Sequence, residues 1–159
     1  MKKIVTLLIL FCIASTFSQS NKDLLPHYKK YYKQMQSQAD IQGVINALTH
    51  LNILEPSQAR KDTLATLYMN EGRHVEALNT IGIEKNESDS DLAVQVKAFS
   101  LKAINDIDQA LIHYEELFKR KPNPFIAYEL AEMKIRTGDL MGATRTVSYT
   151  HLRAHETEA

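Results

Sequence analysis

The chain has 159 residues, 44% of them hydrophobic and 24% charged, with 19 basic against 19 acidic side chains and a formal net charge of zero. That length fits one domain, and balanced charge supplies no field to attract nucleic acid or an anionic membrane surface. Five Gly and four Pro exclude a fibrous or low-complexity chain, and one Cys cannot close an intramolecular disulfide.

Residues 1–18 read as a secretory signal peptide of the bacterial kind. Met1-Lys2-Lys3 is a basic start, Ile4 to Ala14 is apolar apart from Thr6, and the small residues Thr16 and Ser18 alternate before Gln19. The apolar run is too short to span a bilayer as a mature helix. Cys12 follows Phe11 inside that run rather than a small residue at its end, so no lipid-modified cysteine is expected. Cleavage removes Cys12 with Lys2 and Lys3. The mature chain is therefore expected to be periplasmic or secreted, free of disulfides and not inserted in the membrane.

Residues 19–146 repeat with one step. Gly72, Asn105 and Gly138 are 33 apart, and so are Ala77, Ala110 and Ala143, and again Ala65, Ala98 and Ala131. Pro56, Asp89 and Pro122 keep the same register, as do Leu48, Ile81 and Tyr114. Several columns agreeing on one period are the signature of stacked supersecondary units. The units fall at about 24–57, 58–90, 91–123 and 124–146. Each reads as two helices. In the second unit Ser57 can cap a helix carrying Leu64, Leu67 and Tyr68, and Gly72 can end it in the left-handed conformation. Asn105 takes that place in the third unit, Asn being the next-best tolerated residue there. Second helices carry Val75, Leu78 and Ile81, then Ile107, Ala110, Leu111, Tyr114 and Leu117, where Pro122 stops the helix. The first unit has Ile41, Val44, Ile45, Leu48 and Leu51 on its second helix but no Gly in its turn. Glu87, Ser88, Asp89 and Asp91 lack the spacing of a calcium loop and read as a solvated linker.

Residues 147–159 have no physical rationale. Val147 to Thr157 closely resemble the translation of a transposon-end sequencing adapter, so a non-native tail and an authentic chain truncated near Thr146 are expected. His151 and His155 stand at metal-ligating helical spacing with Glu156 beside them, but a metal reading is rejected because the pair falls in that tail.

The repeat register resembles the tetratricopeptide repeat family. Leu64-Ala65, Tyr68, Gly72, Ala77 and Ile81 carry the resemblance in the second unit. Ala98, Leu101, Ala110, Tyr114, Leu117 and Pro122 carry it in the third, and Leu130-Ala131, Gly138 and Ala143 in the fourth. The period is 33 rather than the family's usual 34. Lys97 and Lys134 stand in columns that are usually apolar or aromatic, and the first unit is degenerate. The resemblance implies an all-α fold, an α-solenoid of antiparallel helix-turn-helix repeats. Other helical-hairpin repeats would give the same fold class.

No constellation for catalysis stands out: the chain has no Gly-rich phosphate loop, its histidines are scattered, and no Cys survives cleavage. No enzyme activity, cofactor or metal is expected. Lys29, Lys30 and Lys33 interleave with Tyr28, Tyr31 and Tyr32, a pattern that can bind nucleic acid. Tyrosines packing the first helix while the lysines stay in water is the favoured reading, and no nucleic acid is expected. By family geometry the first helix of each pair lines a concave groove. Carried onto this chain, the groove positions are Lys29 and Lys33; Asp62, Thr66, Met69 and Asn70; Gln95, Phe99 and Lys102; and Tyr128, Glu132 and Arg136. The resemblance thus implies an exported scaffold or adaptor that holds a protein or peptide partner there, although these residues could equally face solvent without binding. The sensor part of a longer membrane signalling protein, or the repeat part of a fused envelope hydrolase, remain alternatives.

Overall fold

A turn of three residues lets consecutive helices lie antiparallel, and turns at 38–40, 71–73, 104–106 and 137–139 close four hairpins among the described residues. The computed structural model describes the backbone of residues 21–157 and the side chains of residues 23–149. The expected signal segment, with Cys12, lies outside the described residues, as do the side chains of His151 and His155. The described residues are all-helical: α1 (Asn21–Ser37), α2 (Ile41–Leu54), α3 (Gln58–Asn70), α4 (His74–Ile81), α5 (Asp91–Ala103), α6 (Ile107–Arg120), α7 (Pro124–Arg136) and α8 (Leu140–Thr157). The chain divides into two units, one up to Ser57 and one from Gln58 onward.

The first unit is the α1–α2 hairpin. Val44, Ile45, Ala47, Leu48 and Leu51 of α2 are buried, with Met35 of α1 beneath them. Tyr28 stacks on His50 with ring centroids 4.3 Å apart. Tyr28, Tyr31 and Tyr32 are half-buried while Lys29, Lys30 and Lys33 stay exposed, the division expected for packing tyrosines.

The second unit holds three hairpins: α3–α4, α5–α6 and α7–α8. Within it α5 also packs on α3 and α4, and α7 on α6. One core cluster joins Leu78 of α4, Val94, Ala98 and Leu101 of α5, Ala110, Tyr114 and Leu117 of α6, and Ile126, Leu130 and Met133 of α7. A second gathers Ala65, Ala77 and Val96. The alanine columns are buried throughout, at 5% exposure or less, because a methyl side chain is what lets paired helices approach closely.

The 33-residue step is a backbone repeat. Ala39, Gly72, Asn105 and Gly138 have φ of 53°, 73°, 66° and 90°. The next amide in each case, of Asp40, Arg73, Asp106 and Asp139, donates to the carbonyl five residues back at 3.0, 2.8, 2.9 and 2.8 Å. This is the Schellman ending of a helix, satisfying carbonyls that would otherwise be orphaned. The same residue then caps the following helix. Asp40, Asp106 and Asp139 accept from the amides of Gly43, Gln109 and Gly142 at 3.0, 3.3 and 2.8 Å. Arg73 makes no such cap; its guanidinium lies over the Tyr68 ring and pairs with Glu76 instead.

The 82–90 connection departs from the solvated linker expected of it. Glu87 and Ser88 are exposed, but the segment is tied down at both flanks. Fully buried Lys97 donates to the Asp89 carboxylate and to the Glu84 carbonyl, each at 2.7 Å. Buried His113 bonds the Ile83 carbonyl through Nε2 at 2.8 Å. Asp91 pairs with Arg120 and Lys121 at 3.5 and 3.0 Å. A lysine in a column expected to be apolar or aromatic gathers the loop's carboxylate, because a buried ammonium needs a partner.

Candidate functional site

Side chains of two first helices of the second unit, α5 and α7, meet in the densest part of the expected groove. Their starts are fixed by side-chain caps: Ser90 accepts from the Ala93 amide and Asn123 from the Ile126 amide, each at 3.0 Å, with Pro124 opening α7. Both helices therefore begin at equivalent places in the 33-residue step, at Asp91 and Pro124.

Phe99 of α5 sits between rings. It stacks on Phe125 of α7 at 5.9 Å and tilts against buried Tyr114 at 5.6 Å. Phe125 and Tyr128 are 56% and 66% exposed, so an aromatic surface opens to solvent along α7. One turn on, Lys102 donates to Glu129 at 2.7 Å and to Glu132 at 2.6 Å. Burial opposes the lysine's charge, but the bonds to Glu129 and Glu132 outweigh it and hold its pKa above the ordinary value. The Tyr114 hydroxyl donates to the same Glu129 carboxylate at 3.0 Å. Burial, then the charge of Glu129, push this phenol far above its usual range. Arg136 pairs with Glu132 at 3.8 Å and donates to the Asn105 side chain. The arrangement is an aromatic patch bordered by an internally neutralised charge network.

The structure brings together Phe99, Lys102, Glu132, Arg136 and Tyr128 of the expected positions. Gln95 is exposed one turn earlier on α5. On α3, Asn70 is exposed, Thr66 donates to the Asp62 carbonyl, and Met69 packs against the second core cluster. Asp62 is buried at 5% exposure, its carboxylate accepting from Ser90 at 2.6 Å and from Gln58 at 2.8 Å, so it ties α5 to α3 rather than facing a ligand. Lys29 and Lys33 belong to the first unit; both are exposed, and Lys29 pairs with Glu55 at 3.4 Å. Sequence reasoning missed Phe125 and Glu129. The signal for both was their placement one turn before Tyr128 and Glu132 on a helix whose start Asn123-Pro124 announces.

Among the described residues no group of three His, Cys, Asp or Glu is placed to hold a metal ion. No helix of the described residues is long and apolar enough to cross a membrane. No protein-family model matches the chain, and a search of curated proteins finds no significant match.

Proposed function

We propose that this chain is an exported protein-interaction scaffold, a tetratricopeptide-like α-solenoid whose first-helix face holds a peptide or a partner helix. The observation carrying this reading is the turn conformation recurring at Ala39, Gly72, Asn105 and Gly138, which makes residues 33 apart perform the same task. The face best suited to a partner is the one built by α5 and α7. Phe99, Phe125 and Tyr128 supply rigid aromatic area of the kind that dominates interface energies. Lys102, Glu132 and Arg136 offset one another, so recognition there rests on apolar anchoring more than on charge.

The test is differential capture from cell-envelope extract. Tyr128 is 66% exposed, so Tyr128→Asp changes the surface without opening the core. Envelope proteins held by the wild-type chain and lost at least tenfold with this variant support the reading. Equal retention by both chains refutes it.

A further inference from the structure

We propose that His113 is an acid-released latch: while neutral it pins the 82–90 connection to α6, and its protonation frees that segment while the hairpins on either side stay folded. The other connections between hairpins are short, at 55–57 and 121–123. This one is longer, and Gly82 to Ser88 are exposed, so its position depends on side chains that reach it from the core. His113 of α6 and Lys97 of α5 do so, each at 0% exposure. Both are particular to the third repeat. The residues 33 away from Lys97 are Leu64 and Leu130, and those 33 away from His113 are Thr80 and Thr146. Each of these threonines returns its hydroxyl to a carbonyl of its own helix, that of Glu76 or Gly142. His113 instead reaches out to the Ile83 carbonyl at 2.8 Å.

The geometry dictates what a second proton does. A carbonyl oxygen only accepts, so the neutral ring carries its proton on Nε2. Nδ1 is left bare and buried, with no hydrogen-bond partner among the described residues. A proton added there would be an unpaired donor on an ion shut away from water, which is costly. The charges acting on the ring do not offset that cost. Lys97 from α5 and Lys85 from the connection repel it, and the opposing Asp89 carboxylate already accepts from Lys97 at 2.7 Å. On α6 itself, Glu116 pairs with Lys85 and Arg120. The charged groups of α7 that reach α5 and α6 are engaged elsewhere: Glu129 with Lys102 and Tyr114, and Lys134 with Glu115. On α4, His74 and Glu76 stand at the end away from the connection. Burial foremost, helped by the two lysines, holds the His113 pKa below its ordinary value. With the segment open the ring meets water and binds its proton more readily, so opening is favoured as the pH falls below about 6.5. The segment gives way rather than the helices, because an exposed connection opens at less cost than the core that α5 and α6 share. Its far end stays fixed, since Ser90 caps α5 and donates to Asp62 of α3.

The test is proteolysis of the full chain by a glutamate-specific endoprotease at about pH 7.5 and about pH 5.0, with cuts after Glu84 and Glu87 located by mass spectrometry. Each rate is divided by that for a free peptide of residues 82–90, which removes the protease's own pH dependence. Cleavage at these two sites is expected to rise at least tenfold at the lower pH with the circular dichroism unchanged. His113→Gln keeps an N–H donor and cannot titrate, so the rise is expected to vanish in that variant. No rise in the wild-type chain overturns the proposal. A rise that persists in His113→Gln also overturns it, by assigning the release to another group such as Asp89. Equal acceleration after Glu76 and Glu116, within helices, overturns it by making the opening global. If His113→Gln fails to fold, the midpoint of the wild-type cleavage profile is set against the titration of the His113 ring followed by NMR. Coincident midpoints are expected, and separate ones overturn the latch.

Discussion

Ala39 and Gly72 occupy the same turn position, and exchanging their residue types should move stability in opposite directions. An L-residue with a Cβ loses roughly 1–2 kcal/mol in the left-handed region, whereas glycine does not. Against this, glycine has the more flexible unfolded chain, which disfavours it by about 0.4–1 kcal/mol. The net expectation is about 0.5–1 kcal/mol of stabilisation for Ala39→Gly and a similar loss for Gly72→Ala. Contact sterics do not confuse the second change, because a Cβ built on Gly72 meets nothing within 4 Å. The backbone bonds that define the turn, Asp40 to Met35 and Arg73 to Tyr68, remain available in both variants. Urea unfolding followed by circular dichroism reads the change as a shift in midpoint at constant slope. Local hydrogen exchange at Asp40 and Arg73 assigns the shift to its turn. The same sign for both variants would refute the idea that the two positions are conformational equivalents.

Asp106→Ala removes the cap of α6 and should cost about 1 kcal/mol by chemical unfolding, since the Gln109 amide loses its acceptor. Asp89→Ala leaves the buried Lys97 ammonium without its carboxylate and should cost about 3–5 kcal/mol, while replacing both partners, Asp89→Ala with Lys97→Met, should cost much less. A thermal-unfolding series in which both changes cost the same would contradict this. Burial, and then the neighbouring ammonium of Lys97, hold the His113 pKa below its ordinary value against the opposing Ile83 hydrogen bond and Asp89 charge, with Lys85 a further repulsion. A depressed histidine pKa means that the unfolded chain takes the proton first. Stability should therefore be level above about pH 6.5 and fall as the pH drops below it. His113→Gln should remove that slope, and an unchanged slope would assign the acid sensitivity elsewhere.

The helical hairpins and their register were legible because the period is carried by residues with strong local preferences. Gly72, Asn105 and Gly138 are the residues that tolerate positive φ, and Asn123-Pro124 marks a helix start unaided. The first turn was not legible by that signal: Ala39 holds the same conformation with a residue that resists it, dictated by the hairpin around it. Lys97 read only as a departure from an apolar column. Its pairing with Asp89 depends on the 82–90 segment folding back, which no local pattern encodes. Asp62 looked like a groove residue from its helix position, yet Ser90, 28 residues later, claims its carboxylate. The Lys102 network is similarly invisible in one dimension, because its partners Glu129 and Glu132 lie on another helix, 27 and 30 residues away.

The central claim is that the chain is one hairpin repeated every 33 residues, and removing one whole period tests it directly. Deleting residues 91–123 joins Ser90 to Pro124, bringing a further first helix onto α4 in register. The account predicts a chain that stays helical by circular dichroism and melts cooperatively, though at lower temperature. Deleting 107–123, about half the period, takes α6 from between α5 and α7 and should abolish cooperative melting. Equal behaviour of the two deletions, or loss of structure in the full-period one, would contradict the repeat.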